Sequence, residues 1–303
     1  MIIKVNLDDY YSNLRLDAYL AEYLGDYSRS RIARVIKDKN ISVNGNPQKA
    51  KYLIKEGDII SIDMKDLEIP AVLAEEIPLD ILYKDEDIAV INKPIGMLVH
   101  PTANIRSHTL VNALMEYFPT LSTVNGEERA GIVHRLDYNT SGLMIVALSD
   151  KAGYKLKENF QNRDIVKKYR AIVKGNFTEK EGILEYPIGR NQYNRKLMTV
   201  DLEGKYAKTG YKVIKECKGF SYLHLDLYTG RTHQIRVHLA HINRPILGDK
   251  DYGGLHNQYS IDHQLLQSYY LEFQHPITKE NMKFEIPKNR EIEKYYNILF
   301  NKL

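Results

Sequence analysis

The chain of 303 residues contains no tryptophan and a single cysteine, Cys217. One thiol excludes an internal disulfide and any zinc site built from cysteines. No apolar run is long enough to span a bilayer, and no N-terminal stretch has the apolar core of a secretion signal. A cytoplasmic protein without membrane contact is therefore expected. Neither G-x-G-x-x-G nor G-x-x-x-x-G-K-[ST] occurs, so the common dinucleotide and nucleotide cradles are missing and no cofactor is expected. Charge of one sign does not dominate. The 43 Lys and Arg oppose 39 Asp and Glu, a net charge of +4 that permits an anionic partner without demanding one. The length suits two domains.

What the chain does have is a crowded segment from His134 to Gly142. It holds His134, Arg135, Asp137 and the small hydrogen-bonding residues Asn139, Thr140 and Ser141, followed at once by the apolar run Leu143 to Leu148. The run reads as a buried strand, and Gly131-Ile132-Val133 could end an earlier one. Asp137 then lies on the connection, where functional side chains concentrate. An ordinary turn, tied by Asp137 through its polar neighbours, accounts for the local pattern equally well.

Residues 13–63 read as a small module. Leu16, Leu20 and Leu24 share a helical face that stops at Gly25, and Ser28 caps a second helix with Ile32, Val35 and Ile36 inward. Asn44-Gly45 marks a turn between short strands. From Arg29 to Lys39 the second helix carries five cations (Arg29, Arg31, Arg34, Lys37 and Lys39) against Asp38 alone. Such a run is either a solvated face or a phosphate-binding one. Residues 64–78, acidic and carrying two prolines, read as a linker. Residues 79–303 mix short strands and scattered helices without regular βαβ alternation, which predicts an α+β domain.

Two further positions stand out in that domain. Val166 to Val173 alternates so that Tyr169, Ala171 and Val173 face inward, which makes Tyr169 either a core tyrosine or a pocket wall. Tyr222 to Tyr228 turns Leu223, Leu225 and Leu227 inward and breaks at Thr229-Gly230. Arg231 follows, and Thr232 could cap a helix carrying Ile235, Leu239 and Ile242. Arg231 is a surface arginine or a guanidinium placed to grip a carboxylate or phosphate. His233, His238 and His241 are close in sequence, but without H-E-x-x-H and with a five-residue step between the first two, no metal site is expected.

Four ordered segments resemble the RluA-type RNA pseudouridine synthases, and among them the RluD-like branch. Lys93 to Pro101 resembles the family's K-P-x-G-x-x-V-H-P, and His134 to Leu143 its H-R-L-D-x-x-T-S-G-L. Lys167 to Val173 resembles its tyrosine-bearing strand, and Gly230 to His238 its G-R-T-H-Q-I-R-x-H. The small module resembles the S4 RNA-binding domain through its R-L-D-x-x-L start and S-R-S-R helix. The resemblance implies a mixed, largely antiparallel sheet with a central cleft, beside a small N-terminal α/β S4-like domain. It implies that Asp137 carries the chemistry, Tyr169 stacks against the uracil or accepts the proton from its C5, Arg231 pairs with Asp137, and Arg135 supports the site. Near the C-terminus Gln267-Ser268 replaces the family's usual His-Ala, while Leu271, Phe273, His275 and Pro276 match, so Leu271 is expected beside Tyr169. The implied partner is structured RNA, 23S ribosomal RNA or a pre-ribosomal particle ahead of tRNA, met by a monomer with Arg29, Arg31, Arg34 and Lys37 on phosphates. Two other readings stay open: an S4-bearing RNA chaperone without activity, and a glycosidase pairing Asp137 with a second acid such as Asp226.

Overall fold

The structure is a computed structural model that describes residues 1–6, 13–67, 71–102 and 105–301. Two units divide the chain, Met1–Ala71 and Val72–Leu303. In the first, strands β1 (Ile2–Lys4), β2 (Ile41–Val43), β3 (Asn46–Pro47) and β4 (Ile59–Ile62) form an antiparallel sheet in the order β1-β4-β2-β3. Helices α1 (Leu16–Leu24) and α2 (Arg29–Lys37) bury Leu16, Leu20, Ile32, Val35 and Ile36 in one core with Ile41 and Ile60. The Ser28 side chain accepts the Arg31 amide, as its capping position requires. Strand β1 lies before the expected start at residue 13 and pairs with β4 through Ile3 and Ile60. The expected linker holds one short helix among its described residues. Its helix α3 (Met64–Leu67) buries Leu67 in the small core, while Val72 and Ile77 pack on the core of the second unit.

The second unit is built on a nine-stranded sheet. Its path runs β5 (Asp80–Lys84), β6 (Ile88–Lys93), β7 (Ser141–Ala147), β14 (Leu266–Gln274), β8 (Val166–Lys174), β13 (Phe220–Leu227), β12 (Lys208–Cys217) and β9 (Glu181–Glu185), with β15 (Asn281–Glu285) on β14. Among the described strands of this sheet only β7 and β14 pair in parallel. A separate ribbon joins β10 (Ile188–Arg190) to β11 (Met198–Val200).

The apolar run of β7 is continuous because both faces of this strand are covered. Met144 and Val146 point into the core that holds Tyr169, Leu225 and Leu266 with helices α4 (Leu110–Tyr117) and α6 (Gln234–His241). Leu143 and Ile145 point the other way, against α5 (Asp150–Asn162). Helix α7 (Arg290–Phe300) covers that second face farther along, on Ile172 and Tyr222. Gly131 to Val133 forms no named strand and contributes one bridge, Ile132 to Val146.

Gly142 sits where β7 meets β14. Its φ of +119° lies outside ordinary L-residue space, and a Cβ there would run into the Ser268 carbonyl. We expect Gly142→Ala to lower stability by about 3 kcal/mol or more, through strain and a backbone collision together. Chemical denaturation of the variant against the parent protein checks this.

Candidate active site

The loop before β7 is a turn at its backbone and a site at its side chains. The Asp137 carbonyl accepts the Thr140 amide at 3.0 Å, so the turn leaves the carboxylate free for other partners. Its Oδ2 lies 3.3 Å from Nη1 of Arg236, and its Oδ1 lies 4.0 Å from Nε2 of His233. His134 is not a cation here. Its Nε2 accepts the Ile145 amide at 2.9 Å, and burial, with Lys167 nearby, pushes the imidazole down to about 3. It fastens the loop to β7. Arg135, by contrast, is exposed and lines the cleft.

A second fastening comes from Lys93 at the end of β6. Its fully buried ammonium donates to the carbonyls of Pro94 at 2.7 Å, Met97 at 2.9 Å and Tyr138 at 3.3 Å. Three carbonyl acceptors require three N–H donors, which only the charged amine offers. Burial pulls this amine down to about 7, with Asp137 acting in the opposite direction. The Gly96 amide also reaches the Tyr138 carbonyl. The segment after Lys93 and the loop at Asp137 are thus held as one piece.

Arg236 replaces Arg231 as the partner of Asp137. Its Nε and Nη2 grip both oxygens of the buried Asp249 at 2.7 and 2.9 Å, and Nη2 also reaches Asp251 at 2.7 Å. Nη1 is left for Asp137. Arg231 points elsewhere: its Nε donates to the Tyr206 carbonyl at 3.0 Å while its side chain lines the same pocket. The physical reason lies in the start of α6. Gln234 Oε1 takes the Arg231 amide and the Thr229 hydroxyl, so the helix begins at Gln234 after His233, and Thr232 is not its cap. That start turns Arg236 inward.

Tyr169 is buried and lines a pocket of about 90 Å³ with Asp137, Leu227, Arg231, Arg236 and Leu266. Burial pushes its phenol well above the ordinary tyrosine range, so it stays protonated. The leucine beside it is Leu266. Leu271 is five residues farther along β14, on the opposite face, in the core with Leu143 and Ile145. The unusual Gln267 and Ser268 have structural partners: Gln267 Oε1 accepts the Asn289 amide that begins the α7 cap, and the Ser268 hydroxyl donates to the Leu143 carbonyl. Asp226 is on the other face of β13, 3.8 Å from Lys168, and among the described residues Asp137 is the one carboxylate lining the pocket. The glycosidase reading loses its second acid.

The pocket adjoins a larger cleft of about 590 Å³ that shares Arg135, Tyr169, Leu227, Gly230 and Arg231 with it. Arg129, Lys157, Arg163 and Lys167 also line this cleft, and no carboxylate among the described residues does. The histidines have separate partners. His238 sits between Thr209 Oγ1 and the Tyr186 carbonyl, His241 packs on the Tyr186 ring, and His224 meets the Tyr269 hydroxyl.

The family model described as RNA pseudouridylate synthase matches residues 87–241, and that of the S4 domain matches residues 14–60. The chain belongs to the RNA pseudouridylate synthase family. It is 41% identical to the ribosomal large subunit pseudouridine synthase D of Yersinia pestis, over 94% of this chain and 90% of that protein. It is also 41% identical to the uncharacterized RNA pseudouridine synthase YlyB of Bacillus subtilis, over 90% of each chain. Among solved structures, human RNA pseudouridylate synthase domain containing 1 is similar with a TM-score of 0.58 and 27% identity, over 71% of this chain and 85% of that one. The enzyme is an isomerase with an S4 domain at its N-terminus.

Four site-shaping residues of this synthase escaped the sequence reading: Lys93, His233, Arg236 and Asp249. Lys93, His233 and Arg236 stand inside the quoted motifs, so their presence was visible and their contacts were not. Asp249 belongs to a loop whose role depends on the fold. Arg236→Lys keeps one charge but loses the fork that reaches Asp249 and Asp137 together. Turnover is expected to fall about 10-fold or more, with a lower melting temperature, because a buried Asp249 is left with poorer compensation. Steady-state kinetics and thermal unfolding of the variant test this.

Proposed function

We propose that this enzyme isomerises specific uridines of large-subunit (23S) ribosomal RNA in the cytoplasm, with Asp137 as the reacting carboxylate. The observation that carries the reading is a carboxylate, alone among the described residues of a small pocket walled by Tyr169, opening onto a cleft whose formally charged lining is all Lys and Arg. The names of the similar large-subunit synthases supply the choice of RNA.

Pseudouridine formation breaks the N1–C1′ bond, turns the uracil and joins C5 to C1′. The C5 proton leaves and N1 gains one, so no atom is gained or lost overall. The target base first leaves its stack, at a cost of a few kcal/mol that is least in loops. Asp137, held by Arg236, then faces the ribose and acts on C1′ or on a ribose proton. Tyr169 takes the role of a wall against which the base stacks. A phenol held protonated by burial is not a base for the C5 proton, and this favours stacking over proton transfer. Arg135 and Arg231 stand at the mouth of the pocket, where a displaced base or a phosphate would meet a guanidinium.

RNA phosphates run along the basic cleft in this reading, and along the S4 domain. There the helix α2 arginines are partly committed. Arg29 shares the buried Asp17 with Arg15, Arg31 donates to the Asp66 carbonyl, and Arg34 lies 3.8 Å from Asp38. Lys37 is exposed beside a groove of about 800 Å³ that Lys39, Lys49 and Lys51 also line. The phosphate-binding set is therefore centred on these lysines.

Asp137→Asn is expected to abolish tritium release from [5-³H]uridine-labelled RNA while leaving RNA affinity within about 3-fold. Retained release would remove Asp137 from the chemistry. Mapping pseudouridines in total RNA with and without this gene identifies the target, and a site lost from tRNA alone would overturn the ribosomal choice. Changing Lys37, Lys39 and Lys49 to Gln is expected to flatten the dependence of log affinity on log salt by roughly 0.7–0.9 per lost contact. An unchanged slope would mean that this face only meets solvent.

A further inference from the structure

A chain of polar contacts leads from the β10–β11 ribbon to the carboxylate of Asp137. The Met198 amide donates to the Tyr252 hydroxyl oxygen at 2.9 Å, that oxygen lies 2.9 Å from His233 Nδ1, and His233 Nε2 lies 4.0 Å from Asp137 Oδ1. The Tyr252 ring is itself fixed beneath the Arg236 guanidinium, 4.9 Å from ring centre to Cζ. His233 holds a left-handed backbone, φ +56° and ψ +19°, which non-glycine residues seldom adopt, and it does so at the start of α6. The conformation aims the ring back toward Asp137 and Tyr252.

Donor and acceptor roles follow from the fixed end of the chain. A backbone amide can only donate, so the Tyr252 oxygen accepts from Met198 and keeps its own proton for Nδ1. The imidazole proton then sits on Nε2, on the side of Asp137. The opposite tautomer would leave the Tyr252 proton without an acceptor and turn the Nε2 lone pair toward a carboxylate, which is repulsive. We infer that His233 is a positioning residue: its Nε2–H, set in that tautomer by Tyr252, orients Oδ1 of Asp137 while Arg236 holds Oδ2. The inference rests on the reading of Asp137 as the reacting group.

The 4.0 Å separation is longer than a hydrogen bond, and a swing of about 1 Å by the carboxylate closes it. A donor at that range limits how far the carboxylate rotates without engaging it permanently. Burial lowers the proton affinity of the His233 ring, against the opposing pull of Asp137, which suits a neutral donor. A neutral group orients the oxygen without adding a second full cation beside Arg236. The electron density on Oδ1 stays available to the sugar.

Asparagine and glutamine separate the two ring nitrogens. Asparagine tolerates the left-handed backbone and places its amide near Nδ1, whereas glutamine places an N–H near Nε2. The full-length enzyme would be assayed by tritium release from [5-³H]uridine-labelled RNA extracted from cells lacking this gene. His233→Asn is expected to lose about 30-fold in kcat with KM within 2-fold, and His233→Gln to recover most of that loss. The reverse order, or two variants as active as the parent, would overturn the inference. Tyr252→Phe removes one hydroxyl, and a loss of about 10-fold in kcat with unchanged KM is expected as the tautomer is released. An unchanged kcat in that variant would overturn the inference even if the glutamine protein does not fold. An active Asp137→Asn control would instead sink the reading of Asp137 itself, so the two failures are told apart.

Discussion

The site depends on one buried guanidinium. Arg236 is nearly enclosed and meets three carboxylates, and its planar fork assigns each a place. Asp249 is buried deeper than the others and takes two of the five N–H groups, a two-point grip on a carboxylate removed from water. What remains of the fork reaches Asp137. The pairing also spans elements far apart in the chain: α6, the loop after Leu247, and the turn before β7. A lysine could supply the charge but not this division of labour.

Around that guanidinium the unit separates its charges. On one side of Asp137 lies the cleft lined by Arg129, Arg135, Lys157, Arg163, Lys167 and Arg231, with no acid among the described residues. On the other is a pocket of about 250 Å³ in which Asp137, Asp249, Asp251 and Asp262 outnumber Arg236 and Lys250. A polyanion is drawn to the first side and repelled by the second. Asp137 lines the pockets on both sides and so stands at the boundary between them.

Much of the architecture was legible from local pattern. The faces of α1 and α2, the cap at Ser28, the buried strand after Gly142 and the inward side of Tyr169 depend on neighbours one to four residues apart, which sequence displays directly. The partner of Asp137 was not legible. Arg231 and Arg236 occupy one motif, and what distinguishes them is a Gln234 side chain that delays the helix and a carboxylate thirteen residues later. Leu271 was misplaced for a similar reason. Matching the C-terminal motif identified a leucine on the right strand, but only the register of β14 against β7 and β8 shows which face it occupies. The commitment of Arg29 and Arg31 to Asp17 and Asp66 was likewise invisible in a count of charges.

The position of β14 in the sheet has a consequence for the order of assembly. Strands β5, β6 and β7 form one ribbon and β8, β13, β12 and β9 another, and β14 is the strand that joins them. Asp137 immediately precedes the first ribbon's last strand, while Tyr169 lies on the second. Until Leu266 to Gln274 has been made and inserted, the two walls of the pocket belong to sheets with no shared edge. The parallel register of Ser141 with Gln267 closes a very long loop, the kind of contact that forms late. A chain in which β14 has not yet been inserted therefore carries the motif but not the pocket.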